Sequence, residues 1–218
     1  MFFTLQPKGL DGKEDLHSSI EEMAEYYIHE MKKVQSSGPY YLLGTCFSNA
    51  VGLEMAKQLR KQGDEMALLL FVDSGPQYLL GAKERGGRKT ITRFAEMLKK
   101  GNWSGIQKKF WNRFIRTKQK ALSPFENEQE KSLRLTIQNL NKLYHHYTWT
   151  PYEGKITFIR STEFANRKDK DIHIEQWSKL AKGGLDVHVV EGHHQSLFAE
   201  PEVAGLASKI QELLVLNK

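Results

Sequence analysis

The chain's single cysteine, Cys46, lies in Gly44-Thr45-Cys46-Phe47-Ser48. An apolar run, Tyr40 to Leu43, precedes it, and Ala50, Val51, Leu53, Met55, Ala56 and Leu59 follow at helical spacing. A nucleophile on a sharp strand-to-helix turn is a nucleophile elbow, usually written G-x-S-x-G. Here Cys46 stands in the serine position and Ser48 in that of the second glycine. Two more reactive side chains sit just beyond apolar runs. Asp73 follows Met66–Val72 (MALLLFV), and His194 comes shortly after Asp186–Val190. Thiol, imidazole and carboxylate make a set for acyl transfer. The thiol attacks a carbonyl carbon, His194 takes its proton and later activates water, and Asp73 fixes the imidazole tautomer. The backbone N–H of Phe47, the residue after the nucleophile, is the natural oxyanion donor.

These groups meet only if their strands are parallel, because ligands then bind outside the strands' carboxyl ends. The pattern along the chain meets that condition. A short strand is expected at Phe2–Gln6, then a helix capped by Ser18 or Ser19, with apolar positions at Ile20, Met23, Tyr27 and Met31. The elbow strand and helix follow, then the Met66–Val72 strand, which is apolar throughout as a strand buried on both faces would be. Strands at Lys155–Arg160 and Asp186–Val190 alternate with helices at Ile174–Leu180 and Val203–Leu216. The fold class is α/β, with a mostly parallel sheet flanked by helices. The order nucleophile, acid, histidine is that of α/β-hydrolases.

Between the halves of this core lies a different block. The core is assigned to residues 1–76 and 151–218, and residues 77–150 to an inserted helical lid. Between Gly81 and Pro124 stand thirteen Lys/Arg and two acidic residues, Glu84 and Glu96. Trp103, Ile106, Phe110, Trp111, Phe114 and Ile115 form an apolar stripe inside it. A long helix is expected from Glu128 to His146, with Leu133, Leu135, Ile137, Leu140, Leu143 and Tyr144 as its apolar positions. The stripe is read as packing on the body, with the basic face solvated. That face also suits docking of an acidic protein by charge steering. Nucleic-acid or membrane-surface binding ranks below both.

Length and composition set the outer bounds. The 218 residues, 39% hydrophobic and 27% charged with a formal charge of +6, suffice for one domain with a sizeable core. No run approaches the roughly 20 apolar residues of a membrane span. The start, MFFTLQPKGLDG, lacks a basic n-region, so no signal peptide is expected. A lone cysteine cannot form an internal disulfide, which fits a reducing, cytoplasmic setting. His17, His29, His145, His146, His173 and His188 show no ligand spacing beyond the adjacent pair, so no metal is expected. The glycines and lysine after Gly81 fail the P-loop pattern, so no nucleotide is implied.

At this point the chain resembles the thioesterase domains of nonribosomal peptide and polyketide synthases and the related stand-alone thioesterases. The likeness rests on LQPKGLDG, on SIEEMAEYYIHEMKKVQSSGPYYLLGTCFSNAVGLEMAKQL, on the Asp in LLLFVDSGP, and on the Gly-x-His in EGHHQSLFAEPEV. By position, the resemblance implies Cys46 as nucleophile, Asp73 as acid and His194 as base. It also implies release of an acyl or peptidyl chain from a carrier protein's phosphopantetheine thioester, by hydrolysis or cyclisation, with no cofactor. LQPKGLDG resembles the family's second sheet segment. The first strand and its loop, which give the second oxyanion donor, are therefore expected to be missing upstream of Met1.

Each role has a competitor. Glu163, after the strand ending at Arg160, is the rival acid, in the commoner location for α/β-hydrolases. His193 competes for the base role; His194 is preferred because Gly192 stands two residues before it. The alternative function is a catalytically weak or inactive module that binds a carrier protein or acyl chain. An ordinary esterase or acyltransferase on the same groups ranks third.

Overall fold

The structure is a computed structural model, describing residues 3–76, 127–165, 172–194 and 196–217. The chain first folds as α1 (Ile20–Val34), capped by the Ser19 hydroxyl, which accepts the Glu22 N–H at 3.0 Å. Ile20, Met23, Ala24, Tyr27 and Ile28 are its buried face. Then come β1 (Tyr40–Thr45), α2 (Ser48–Lys61) and β2 (Met66–Val72). The remaining elements are α3 (Glu128–His146), β3 (Ile156–Ser161), α4 (Thr162–Ala165), α5 (Ile172–Leu180), β4 (Leu185–Val190) and α6 (Val203–Leu216).

The four strands form one parallel sheet in the order β1-β2-β3-β4. Period-two alternation splits β2, β3 and β4 between two cores, while β1 contributes Tyr40 and Leu42 to one. Leu69 and Phe71 of β2 join Ile156 and Phe158 of β3 beneath α1, α2 and α5, where Trp177 stacks on Phe71 at 4.5 Å between centroids. Leu68, Leu70 and Val72 face the other way, with Ile159, Val190, Leu206 and Leu213, under α6. Both faces of β2 and β3 are thus buried, which is why β2 is a continuous apolar run, while β3 buries the polar Thr157, Arg160 and Ser161 beside its apolar residues. The in-register ends Thr45↔Val72 and Ser161↔Val190 bring all four carboxyl ends to one rim.

Two expectations are corrected. Residues 3–7 form no strand: Phe3 is 64% exposed, and no neighbouring strand pairs with the segment among the described residues. Cys46 and Asp73 accordingly follow the first and second strands of the sheet rather than the second and third. The helix at Glu128–His146 forms as expected, with Asn127 and Glu130 closing a capping box; its second half buries Leu143 and packs Leu140 and Tyr144 on the core as expected, but its first half turns a different face inward. Leu133, Leu135 and Ile137 are exposed, while Ser132 and Thr136 are buried and donate to the Gly9 carbonyl at 2.6 and 3.3 Å. Small hydroxyls let α3 approach the Gly9 turn closely and add donors to a carbonyl that also accepts the Gly12 N–H at 3.1 Å, which a leucine could not do. Residues 77–126, which include the expected basic stripe, lie outside the described residues. Among the described residues no helix is long and apolar enough to cross a membrane.

His17 links these parts. It is buried against Tyr26 and Tyr27, with ring centroids 5.3 and 6.1 Å away, and its carbonyl accepts the Asn139 side chain of α3 at 2.8 Å. Burial holds its imidazole below the ordinary value, against the opposing pull of Glu22. The unfolded chain therefore takes up a proton that the folded chain resists. Stability is expected to hold above about pH 6.5, the unperturbed histidine value, and to fall as the pH drops below it. Thermal melts of the wild type and His17→Phe across pH 5–8 test this, the difference between the two isolating His17. Parallel curves would refute it.

Candidate active site

The elbow is built by close approach. β1 ends at Thr45, α2 starts at Ser48, and Cys46 between them has φ 50°, in the left-handed region. For a residue with a Cβ this conformation costs roughly 1–2 kcal/mol and persists only where its surroundings enforce it. One enforcing group is Ser48. Its hydroxyl accepts the Thr45 N–H at 2.7 Å and donates to the Thr45 carbonyl at 2.8 Å, closing the turn. Gly44 is needed for space: a Cβ there would lie 2.8 Å from Asn49 Oδ1 and 3.0 Å from the Ser48 carbonyl oxygen. The Cys46 thiol is exposed. No group among the described residues accepts from the N–H of Phe47 at the start of α2.

The acid turn is built alike. Asp73 has φ 51°, and its N–H donates to the Ile159 carbonyl at 2.7 Å. Its side chain, only 2% exposed, is held by the end of β3. The Ser161 N–H donates to Oδ1 at 2.6 Å and the Ser161 hydroxyl to Oδ2 at 3.0 Å. Oδ2 also lies 3.0 Å from His194 Nδ1. A carboxylate only accepts, so Nδ1 is the donor of that contact and Nε2 is the ring nitrogen turned toward the thiol. His194 Nε2 and Cys46 Sγ are 4.0 Å apart. That is long, as such contacts often are before substrate binds.

The structure therefore brings Cys46, His194 and Asp73 together at one rim of the sheet. The two competitors lie elsewhere. Glu163 accepts the backbone N–H of His194 at 3.0 Å, and its carboxylate is 4.0 Å from Nδ1 of His193, whose side chain is 73% exposed. Gly192 (φ 136°) bonds to Thr162 at the start of α4, which turns the chain back toward Asp73. Sequence reasoning missed Ser161, Ser74 and Asn49. Ser161 had a usable signal, because it is the polar residue ending the buried ITFIRS run, just as Asp73 ends MALLLFV. Among the described residues no three His, Cys, Asp or Glu side chains are grouped to hold a metal ion.

A family model for the thioesterase domain matches residues 1–214. The chain belongs to the thioesterase-domain family. Among its relatives, the chain is 30% identical to malpibaldin synthetase of Mortierella alpina, over 88% of this chain and 3% of that protein. It is 27% identical to a dimodular nonribosomal peptide synthase of Bacillus subtilis (strain 168), over 97% of this chain and 9% of that protein. The chain thus spans less than a tenth of either relative's length. The NocB thioesterase domain, solved as a covalent complex with a fluorophosphonate nocardicin G analogue, superposes with TM-score 0.65 at 22% identity, covering 96% of this chain and 81% of that one. The surfactin thioesterase domain SrfTE superposes with TM-score 0.57 at 16% identity, over 89% and 74% of the respective chains. At these identities the structural matches establish the α/β-hydrolase fold.

The packing at Gly44 gives this thioesterase a specific vulnerability. Gly44→Ala is expected to lose about 1–3 kcal/mol of stability by overpacking the elbow and to slow alkylation of Cys46 by iodoacetamide. Urea unfolding and mass-detected alkylation measure the two effects. An unchanged midpoint and an unchanged rate would refute the account.

Proposed function

We propose that this domain releases an acyl or peptidyl chain from the phosphopantetheine thioester of a carrier protein through an acyl-enzyme on Cys46. The observation that carries this reading is the unbroken path Asp73–His194–Cys46 at the strand rim of a thioesterase-family fold. His194 Nε2 takes the thiol proton as sulfur attacks the carbonyl carbon, and Asp73 Oδ2 stabilises the resulting imidazolium. The Phe47 N–H, at the positive end of α2, donates to the developing oxyanion. The bond from carbon to the pantetheine sulfur breaks, His194 returns the proton to that sulfur, and the acyl group stays on Cys46. Exchange of one thioester for another is close to isoenergetic. Water, or a nucleophile within the chain being released, then attacks the acyl-enzyme with His194 as base, giving hydrolysis or cyclisation.

On this reading the substrate brings its own pantetheine arm, and neither cofactor nor metal takes part. The partner is an acyl or peptidyl carrier protein, not a nucleic acid, and residues 77–150 form the lid over a core of residues 1–76 and 151–218. The work is cytoplasmic, where the thiol stays reduced. The competing binding-only reading requires Cys46 and His194 to lie out of hydrogen-bond reach. Their separation, within the range of a long sulfur contact, favours catalysis.

Incubation with an acyl-N-acetylcysteamine thioester should add the acyl mass to a peptide containing Cys46, with no adduct in Cys46→Ala. His194→Ala is expected to slow adduct formation by about 10²–10⁴-fold. A folded wild-type protein that binds the thioester but forms no adduct would sink the covalent mechanism and leave the binding module.

A further inference from the structure

We propose that Ser74 is a positioning residue for Cys46, a hydroxyl strut that fixes the nucleophile's turn to the acid's turn. The inference rests on the covalent reading above. The Cys46 N–H donates to Ser74 Oγ at 2.7 Å. The same oxygen accepts the Asn49 Nδ2–H at 2.8 Å, and its own proton goes to the Val72 carbonyl at 3.3 Å. One donor and two lone pairs are a hydroxyl's whole capacity, so Ser74 is fully committed. Its carbonyl is held as firmly, accepting Asn49 Nδ2–H and Trp177 Nε1–H, both at 3.0 Å. Asn49 and Trp177 are completely buried.

This rigidity has a direction. Ser74 follows Asp73 in the chain, so its side chain spans from the end of β2 to the end of β1. The residues it joins, Cys46 and Asp73, are the two described non-glycine residues with positive φ. Fixing the direction of the Cys46 N–H fixes the plane of the Thr45–Cys46 peptide, the base from which the Cys46 side chain extends toward His194. The bond also removes the Cys46 N–H from the reaction, leaving the N–H of Phe47 to face the substrate oxygen. Because Sγ and Nε2 are already 4.0 Å apart, a small rotation of the turn takes the thiol out of reach of its base.

Adduct formation from the acyl-N-acetylcysteamine thioester, followed against its concentration, tests the strut. Ser74→Ala should lower the maximal rate about tenfold to a hundredfold, as misplacement of a reacting group by ~1 Å does, with the half-saturating concentration unchanged. Ser74→Thr, which keeps the hydroxyl, should recover most of the rate, while Ser74→Val, of the same shape without it, should not. In the His194→Ala background, Ser74→Ala should have no further effect on alkylation of Cys46, because the strut acts through that pairing. A folded Ser74→Ala with the wild-type rate, equal losses in Thr and Val, or additive losses with His194→Ala would each overturn the proposal. If the variants do not fold, amide exchange of wild-type Cys46 decides: slow exchange supports the bond to Ser74, and exchange at the free-peptide rate overturns it. Absence of any wild-type adduct would instead defeat the covalent reading, so the two failures are distinguishable.

Discussion

A carboxylate taken out of water must be given donors, and Asp73 is almost wholly out of water. Its donors come from two places far apart in the chain: the N–H and hydroxyl of Ser161, and the imidazole of His194. Much of the rim follows from that requirement. The register between β2 and β3 must set Ser161 beside Asp73, so both strands must be buried and parallel. The loop after β4 must return His194, so Gly192 turns in the left-handed half of the map and is held by Thr162. The side chain that could orient a base is therefore also one that breaks the core if left alone. Organisation for chemistry and organisation for stability coincide at this residue.

Much of this was legible because burial leaves a strong mark on sequence. Met66–Val72 is apolar on both faces, and parallel central strands are buried on both faces. The α1 cap was also readable, as Ser18 or Ser19, and the bounds of α3 and α6 from their apolar spacing. Three features were not. Phe3–Gln6 has strand composition, yet a strand exists only through its partner, and composition says nothing of partners. Leu143 of α3 is buried as its spacing suggested, but Leu133 and Leu135 are exposed, because the neighbour of the first half of the helix is a backbone turn at Gly9, which selects hydroxyls over bulk. Ser74, Ser161 and Asn49 were silent because a small polar residue carries no pattern until the groups it bonds are known.

The elbow's departures from the usual pattern look different in three dimensions. Ser48 occupies a position where glycine avoids crowding, but the crowded position here is Gly44, whose missing Cβ lets β1 pass against Asn49. Ser48 instead contributes a hydroxyl that closes the turn on both sides of Thr45. Glu163, the rival for the acid's role, grips the backbone of His194. A residue can thus sit in a family's familiar place and do other work.

The strand order of the sheet also bears on how the protein is made. Among the described residues spatial order and chain order are the same, β1-β2-β3-β4, and each described strand pairs with the one before or after it in the chain. A sheet of this kind can grow in one direction as the chain leaves the ribosome, each new strand meeting an edge already in place. One contact runs against that order: the clasp of Gly9 by Ser132 and Thr136 joins residues 123 and 127 positions apart. The Gly9 turn must wait for α3, so it is secured only after the strands that lie between the two in the chain.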